Sequence, residues 1–331
     1  MTEATYDIVA IGNAIVDVIA QADDAFVAEV GATKGTMQLV DEPTCHALYA
    51  KMEAGREISG GSAANTVAGM AALGARCAFI GQVADDQLGA VFAHDIRANG
   101  VQFDTAVRTG SPTTARCLIL VTPDAQRTMN TFLGASQYLP ETAIDARLIA
   151  AASILYLEGY LWDPEEPRAA MRAAIEMARA AGRRVAFSLS DAFCIERHRD
   201  DFRRLIDGGL LDILFANEAE LLSLTQLDDF EAAVAALAGK VPLLVVTRGA
   251  DGAIAVQDGR RETVAAEPIA RVIDTTGAGD LFAAGFLAGQ AQERSIAESL
   301  RMGAIAAAEI ISHYGARPEA KLDELVVAAL G

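Results

Sequence analysis

The chain has 331 residues and carries 45 acidic against 27 basic side chains, a formal net charge of −18 that speaks against nucleic acid and anionic membranes as partners. A phosphate ligand stays compatible with that charge, because helix ends and a bound divalent ion set the field locally. Apolar residues make up 52%, with aromatics at only 6%, which suits closely packed helices against a sheet in one large α/β domain. Cys45, Cys77, Cys117 and Cys194 lie far apart without a metal-binding spacing, so scattered thiols in a reducing cytoplasm are expected. The acidic start is no signal peptide, and no apolar run reaches the ~18 residues of a membrane span.

Residues 6–12 form a continuous apolar run, the pattern of a strand buried on both faces. Asn13 and Asp17 follow its carboxyl end, where open α/β sheets bind ligands. Residues 35–40 suggest a further strand, and Pro43 opens a helix to about residue 54, so 15–40 departs from the βαβ rhythm and is assigned to a lid. Ser59-Gly60-Gly61 then leads to Ser62, an N-cap candidate, and small residues carry a helix to a stop at Gly74.

A strand over 76–83 and a helix over 85–99 resume the alternation. Residues 114–121 and 127–133, joined by a turn at 122–125, form a hairpin with no helix between, which makes 102–134 the second lid piece. Arg116 and Arg127 on this hairpin are expected to be solvated, with a phosphate contact as the alternative. The strand at 154–157 delivers Glu158 and Tyr160 to the cleft side of the sheet, and Tyr160 or Trp162 either stacks on a base or packs in the core.

A helix over 165–181 and strands over 185–189 and 211–216 lead to Asn217 and Glu220, whose spacing predicts a capping box. Residues 241–247 form a strand, followed by Arg248-Gly249-Ala250-Asp251-Gly252 and a hairpin turning at Asp258-Gly259. The most informative stretch is Asp274-Thr275-Thr276-Gly277-Ala278-Gly279-Asp280, a glycine turn opening a small-residue helix. Its free N–H groups at Ala278, Gly279 and Asp280, with the helix dipole behind them, should attract an anion. Asp280 in the first turn brings a proton acceptor beside that anion, a layout for phosphoryl transfer to an alcohol. No P-loop occurs, and Phe282 stands where a dinucleotide fingerprint needs its third glycine. A helix over 296–312 and a turn over 313–317 complete the pattern.

The heptad 274–280 with Phe282-Ala283-Ala284-Gly285-Phe286 after it resembles the C-terminal signature of the ribokinase or PfkB family of carbohydrate and nucleoside kinases, and 59–74 resembles its N-terminal signature. The resemblance implies a ribokinase-like three-layer α/β/α fold with a mostly parallel sheet and a small β lid, as a single domain over 1–331. It implies Asp280 as catalytic base, the 277–280 amides as anion hole, Gly60 and Gly61 as backbone approaching the sugar, and Asn65 as a hydroxyl ligand. The Asn13–Asp17 spacing is similar to that of adenosine kinases, which implies Asp17 on the ribose hydroxyls, whereas Glu158 resembles the sugar-contacting Glu of ribokinases. Asn217 and Glu220 would organise Mg²⁺ through water, Thr247, Gly249 and Gly252 would line ATP, and Asp274 would hold K⁺ as in some relatives. The expected activity is ATP-dependent phosphorylation of a nucleoside, adenosine first, by a monomer or homodimer. A sugar kinase of the same family is the rival, and an idle nucleoside-binding regulatory module the rival of another class.

Overall fold

The computed structural model describes residues 4–124 and 126–331; residues 1–3, and Ala125 of the expected 122–125 turn, lie outside the described residues. Nine strands form the main sheet in the order Arg260–Val264, Ala253–Gln257, Leu243–Thr247, Ile213–Asn217, Arg184–Ser188, Ala152–Glu158, Tyr6–Ile11, Cys77–Ile80, Val101–Gln102. All neighbours are parallel except the hairpin edge from 243 to 264, where Asp258 and Gly259 both take positive φ as a tight primed turn requires.

Alternation along the central strand shows why the run of apolar residues was continuous. Ile8 and Ala10 enter one core with the helices Ser62–Ala72 and Ala278–Ala291, while Val9 and Ile11 enter another with Glu165–Ala180 and Ala192–Asp207. The sheet is thus covered on both faces, giving the three-layer α/β/α, ribokinase-like architecture.

A second sheet of five strands runs Met37–Leu39, Arg127–Phe132, Ala115–Val121, Ile15–Gln21, Arg56–Gly60. Its strand Ile15–Gln21 continues from the first strand of the main sheet through Gly12, Asn13 and Ala14, so the two sheets meet at Asn13. Three features differ from the sequence reading. Strand Arg56–Gly60 joins this sheet from outside the ranges 15–40 and 102–134, and a short helix Asp24–Glu29, capped by Asp23, sits within the first of them. The helix opened by Pro43 is Glu42–Tyr49, shorter than expected.

Trp162 is core rather than cleft: it is fully buried, packed edge-on against Phe187 and Phe202, with its indole N–H donating to Asp201 at 3.0 Å. Stacking on a base is therefore closed to it. Trp162→Ala should cost about 3–5 kcal/mol of stability in urea unfolding, the usual penalty for emptying a large aromatic site.

Candidate functional site

The helix Ala278–Ala291 starts at Gly277, whose φ of 78° places it in the left-handed region, and a Cβ there would lie 2.9 Å from that of Ala316. At Gly279 an added Cβ would meet nothing within 4 Å, so this face of the turn is open. Ala278 and Gly279 close one end of a cleft of about 610 Å³, lined also by Thr247, Gly249, Gly252 and Phe282. The three positions that the family resemblance gave to the nucleotide therefore share one cavity with the glycine turn. The sequence reading missed its floor, Ala304, Ala307 and Ile311, because small residues in a helix carry no ligand signal of their own.

Asp280 sits beside the turn. Ser62 Oγ donates to its Oδ1 at 2.6 Å and Asn65 Nδ2 to its Oδ2 at 2.9 Å. Ser62 is not the N-cap predicted for its helix; Gly61 holds that position at φ 100°, and the freed hydroxyl reaches across 218 positions to the carboxylate. A side chain at Gly61 would strike the carbonyl of Asn13 at 2.1 Å, which explains the glycine. Burial pushes the Asp280 carboxyl above its ordinary value, while the donors and the nearby Arg317 guanidinium pull it back.

Asp17 lies in the same region, within electrostatic reach of the cations Arg317 and Arg127 and of the acids Asp280 and Asp274. Burial raises it to about 6 despite the two cations. Gly60 leaves room for it, since a Cβ there would come within 2.6 Å of its carboxylate. The native state therefore holds a proton between pH 3.8 and about 6 that the unfolded chain releases, so Asp17's stabilising contribution fades as pH rises across that interval. Asp17→Asn should flatten this part of the dependence of melting temperature on pH.

Glu158 departs from the sequence reading. It is wholly buried, with Oε1 accepting from both Asn13 N and Nδ2 at 2.7 Å and Oε2 from Ala63 N at 2.6 Å. It ties the end of the first strand to the start of the 62–72 helix and keeps one acceptor site, on Oε2. Asn13 is likewise buried, its Oδ1 accepting from Ser136. Tyr160, by contrast, is 38% exposed, with Asp191, Asp280 and Glu220 in its surroundings.

Arg116 and Arg127 are not solvated: they are only 7% and 8% exposed. Arg116 packs against the rings of Tyr49 and Phe132, away from Asp280's partners. Arg127 forms a buried ion pair with Asp274 at 2.6 Å. Asp274 also accepts from Thr276 N and Oγ1 on one oxygen and from Gly315 N on the other. Three hydrogen bonds leave Asp274 one of about four acceptor sites, and the Arg127 guanidinium beside it already supplies positive charge where the resemblance implied K⁺.

Asn217 and Glu220 form the predicted capping box, with Asn217 Nδ2 and N donating to the two carboxylate oxygens at 2.6 and 3.0 Å. Burial raises Glu220 to about 7. Each oxygen keeps one acceptor site, so the pair can accept from the water shell of a hydrated Mg²⁺. Among the described residues no three His, Cys, Asp or Glu side chains converge as a metal cage. No helix among them is long and apolar enough to cross a membrane.

An open anion-binding helix start, a cleft ending on it and a carboxylate beside it together belong to a kinase that phosphorylates an alcohol. The model of the "pfkB family carbohydrate kinase" matches residues 7–322, and the chain belongs to that family of sugar and nucleoside kinases. The structure of "adenosine kinase from Sinorhizobium meliloti" is 46% identical with a TM-score of 0.91, covering 98% of this chain and 100% of that one. A "probable sugar kinase protein from Rhizobium etli CFN 42" is 43% identical at the same TM-score, covering 98% and 99%. Among curated proteins, a fructokinase of Klebsiella pneumoniae is 30% identical over 236 residues, covering 70% of this chain and 76% of its own length.

Gly279→Ala should leave melting temperature unchanged or slightly raised, since alanine favours the helix and meets no neighbour, while turnover falls because a methyl group stands where the anion approaches. Thermal unfolding and steady-state kinetics on the same preparation separate the two effects.

Proposed function

We propose that the protein transfers the γ-phosphoryl group of ATP to the primary 5′ hydroxyl of a ribosyl compound, with adenosine foremost among acceptors. The observation that carries this reading is the setting of Asp17. Strand pleating puts it on one face with Ile15 and Ile19, which adjoin Cys117, Ile119 and Met129 across the sheet. Asp17 with the charged groups around it suits a ribose diol, and the apolar neighbours on its strand face suit a flat base beside it. A free sugar, polar on every side, would leave that apolar stretch uncovered.

In this reading Asp280 takes the proton of the acceptor hydroxyl, and the amides of residues 277–280 receive the charge of the phosphoryl group. The small sheet acts as a lid over 15–40 and 102–134, joined by the strand at 56–60, and excludes water as a competing acceptor. Mg²⁺, carried on the nucleotide with Asn217 and Glu220 holding its water shell, would neutralise phosphate charge. The 46% identical adenosine kinase supports the nucleoside. The fructokinase relative supports a sugar, but Glu158, the residue that favoured that rival, is spent on Asn13 and Ala63.

Phosphorylation assays with adenosine, other nucleosides, ribose and fructose side by side test the acceptor; a higher kcat/KM for a free sugar overturns the nucleoside reading. Asp280→Asn should keep nucleotide binding and lower turnover by about 10²–10⁴-fold. Near-normal turnover would remove Asp280 from the role of base.

A further inference from the structure

Arg317 lies in the turn between the helices Ile296–Ile310 and Leu322–Leu330, far in sequence from Ser59 and Asn65, which it meets. One guanidinium nitrogen donates to Asn65 Oδ1 and the other to Ser59 Oγ at 2.9 Å. Ser59 in turn donates through both its hydroxyl and its N–H to Asp95, at 2.5 and 2.8 Å. The chain of contacts thus runs from Asp95 on the helix Gln87–Ala98 through Ser59, Arg317 and Asn65 to Asp280.

The chemistry of these groups allows one direction only. A guanidinium has donors and no acceptor, and an ionised carboxylate has acceptors and no donor. Asn65, placed between them, must turn its oxygen to Arg317 and its NH₂ to Asp280. Without Arg317 the amide is free to rotate and present its oxygen to the carboxylate, which repels it.

We propose that Arg317 is a positioning residue for the phosphoryl-transfer reaction: it locks the Asn65 amide so that Asp280 is held by two donors, and it places a fixed positive charge beside that base. This rests on Asp280 being the base. The charged and titratable groups around the pair are Asp17 from the small sheet, Asp95 from its helix, Glu158, Tyr156 and Tyr160 from the strand Ala152–Glu158 and the turn after it, and Arg127 near Asp17. Burial lowers the Arg317 guanidinium from its ordinary value, and three carboxylates around it, Asp17, Asp95 and Asp280, oppose that shift. Its Nε is buried without a partner among the described residues, so direct contact with the acceptor is the competing role.

The two roles separate in kinetics. In the positioning role Arg317→Met lowers kcat at least tenfold with acceptor KM changed less than threefold, and the acid limb of the pH profile of kcat moves up by about one pH unit as a nearby cation is lost. Arg317→Lys keeps the charge and restores the limb while kcat stays low, because a single ammonium cannot span Asn65 and Ser59. Ser59→Ala, which removes the outer anchor alone, gives a smaller loss of kcat and guards against failure of the Met variant to fold. A rise in acceptor KM with an unmoved pH limb assigns Arg317 to substrate binding and overturns the proposal, as does unchanged kcat in all three variants. A carboxyl carbon NMR titration, with Asp280 assigned through Asp280→Asn, reads the same upward shift without turnover. If that shift appears while the wild-type protein phosphorylates no acceptor, the kinase reading fails and the electrostatic role of Arg317 stands.

Discussion

Two helix N-termini meet at one carboxylate, and the rest of the site follows from that meeting. The helices Ser62–Ala72 and Ala278–Ala291 pack so closely that a Cβ on Gly69 would come within 2.6 Å of Leu281 and 2.8 Å of Ala284. The second helix is pressed as tightly on Ile296–Ile310, where Gly285 and Gly289 would strike Met302 and Ser299. The abundance of alanine and glycine in the composition is thus a packing requirement: larger side chains would part the helices and separate Ser62 and Asn65 from Asp280. Both helices direct their positive ends toward the same place, which offsets part of the cost of burying the acid.

Local charge balance resolves the apparent conflict between an acidic protein and an anionic ligand. Inside the site, Arg127 and Arg317 stand against Asp17, Asp274 and Asp280, and the turn at 277–280 adds backbone donors without adding a full charge. Breaking either guanidinium's contacts would leave a buried carboxylate uncompensated, which costs far more than a surface ion pair is worth. Because Arg127 belongs to the small sheet and Asp274 to the turn before the helix Ala278–Ala291, this buried ion pair also ties the small sheet to that turn.

Several groups serve as architecture where the sequence suggested ligands. Glu158 spends both oxygens on Asn13 and Ala63, and Trp162 is sealed among Phe187 and Phe202. Burial removes Trp162 from the cleft, and it sets Glu158 among backbone and amide donors whatever else it contacts. Asp274, whose sequence context resembles that of a cation ligand, has an arginine delivered beside it by a strand.

The sequence by itself determined what short-range energetics control. The alternating cores, the tight turn at Asp258-Gly259, the capping box of Asn217 and Glu220 and the glycine-opened helix at 277–280 each involve neighbours a few positions apart, where backbone sterics and local hydrogen bonds leave few choices. Tertiary structure alone decided partners. Ser62 finds Asp280 across 218 positions and Arg317 finds Asn65 across 252, and neither carries a local mark of its role. Such pairings are chosen by how helices and sheets pack, and an arginine in a turn or a serine at a helix start looks the same in the sequence whether it meets water or a buried carboxylate.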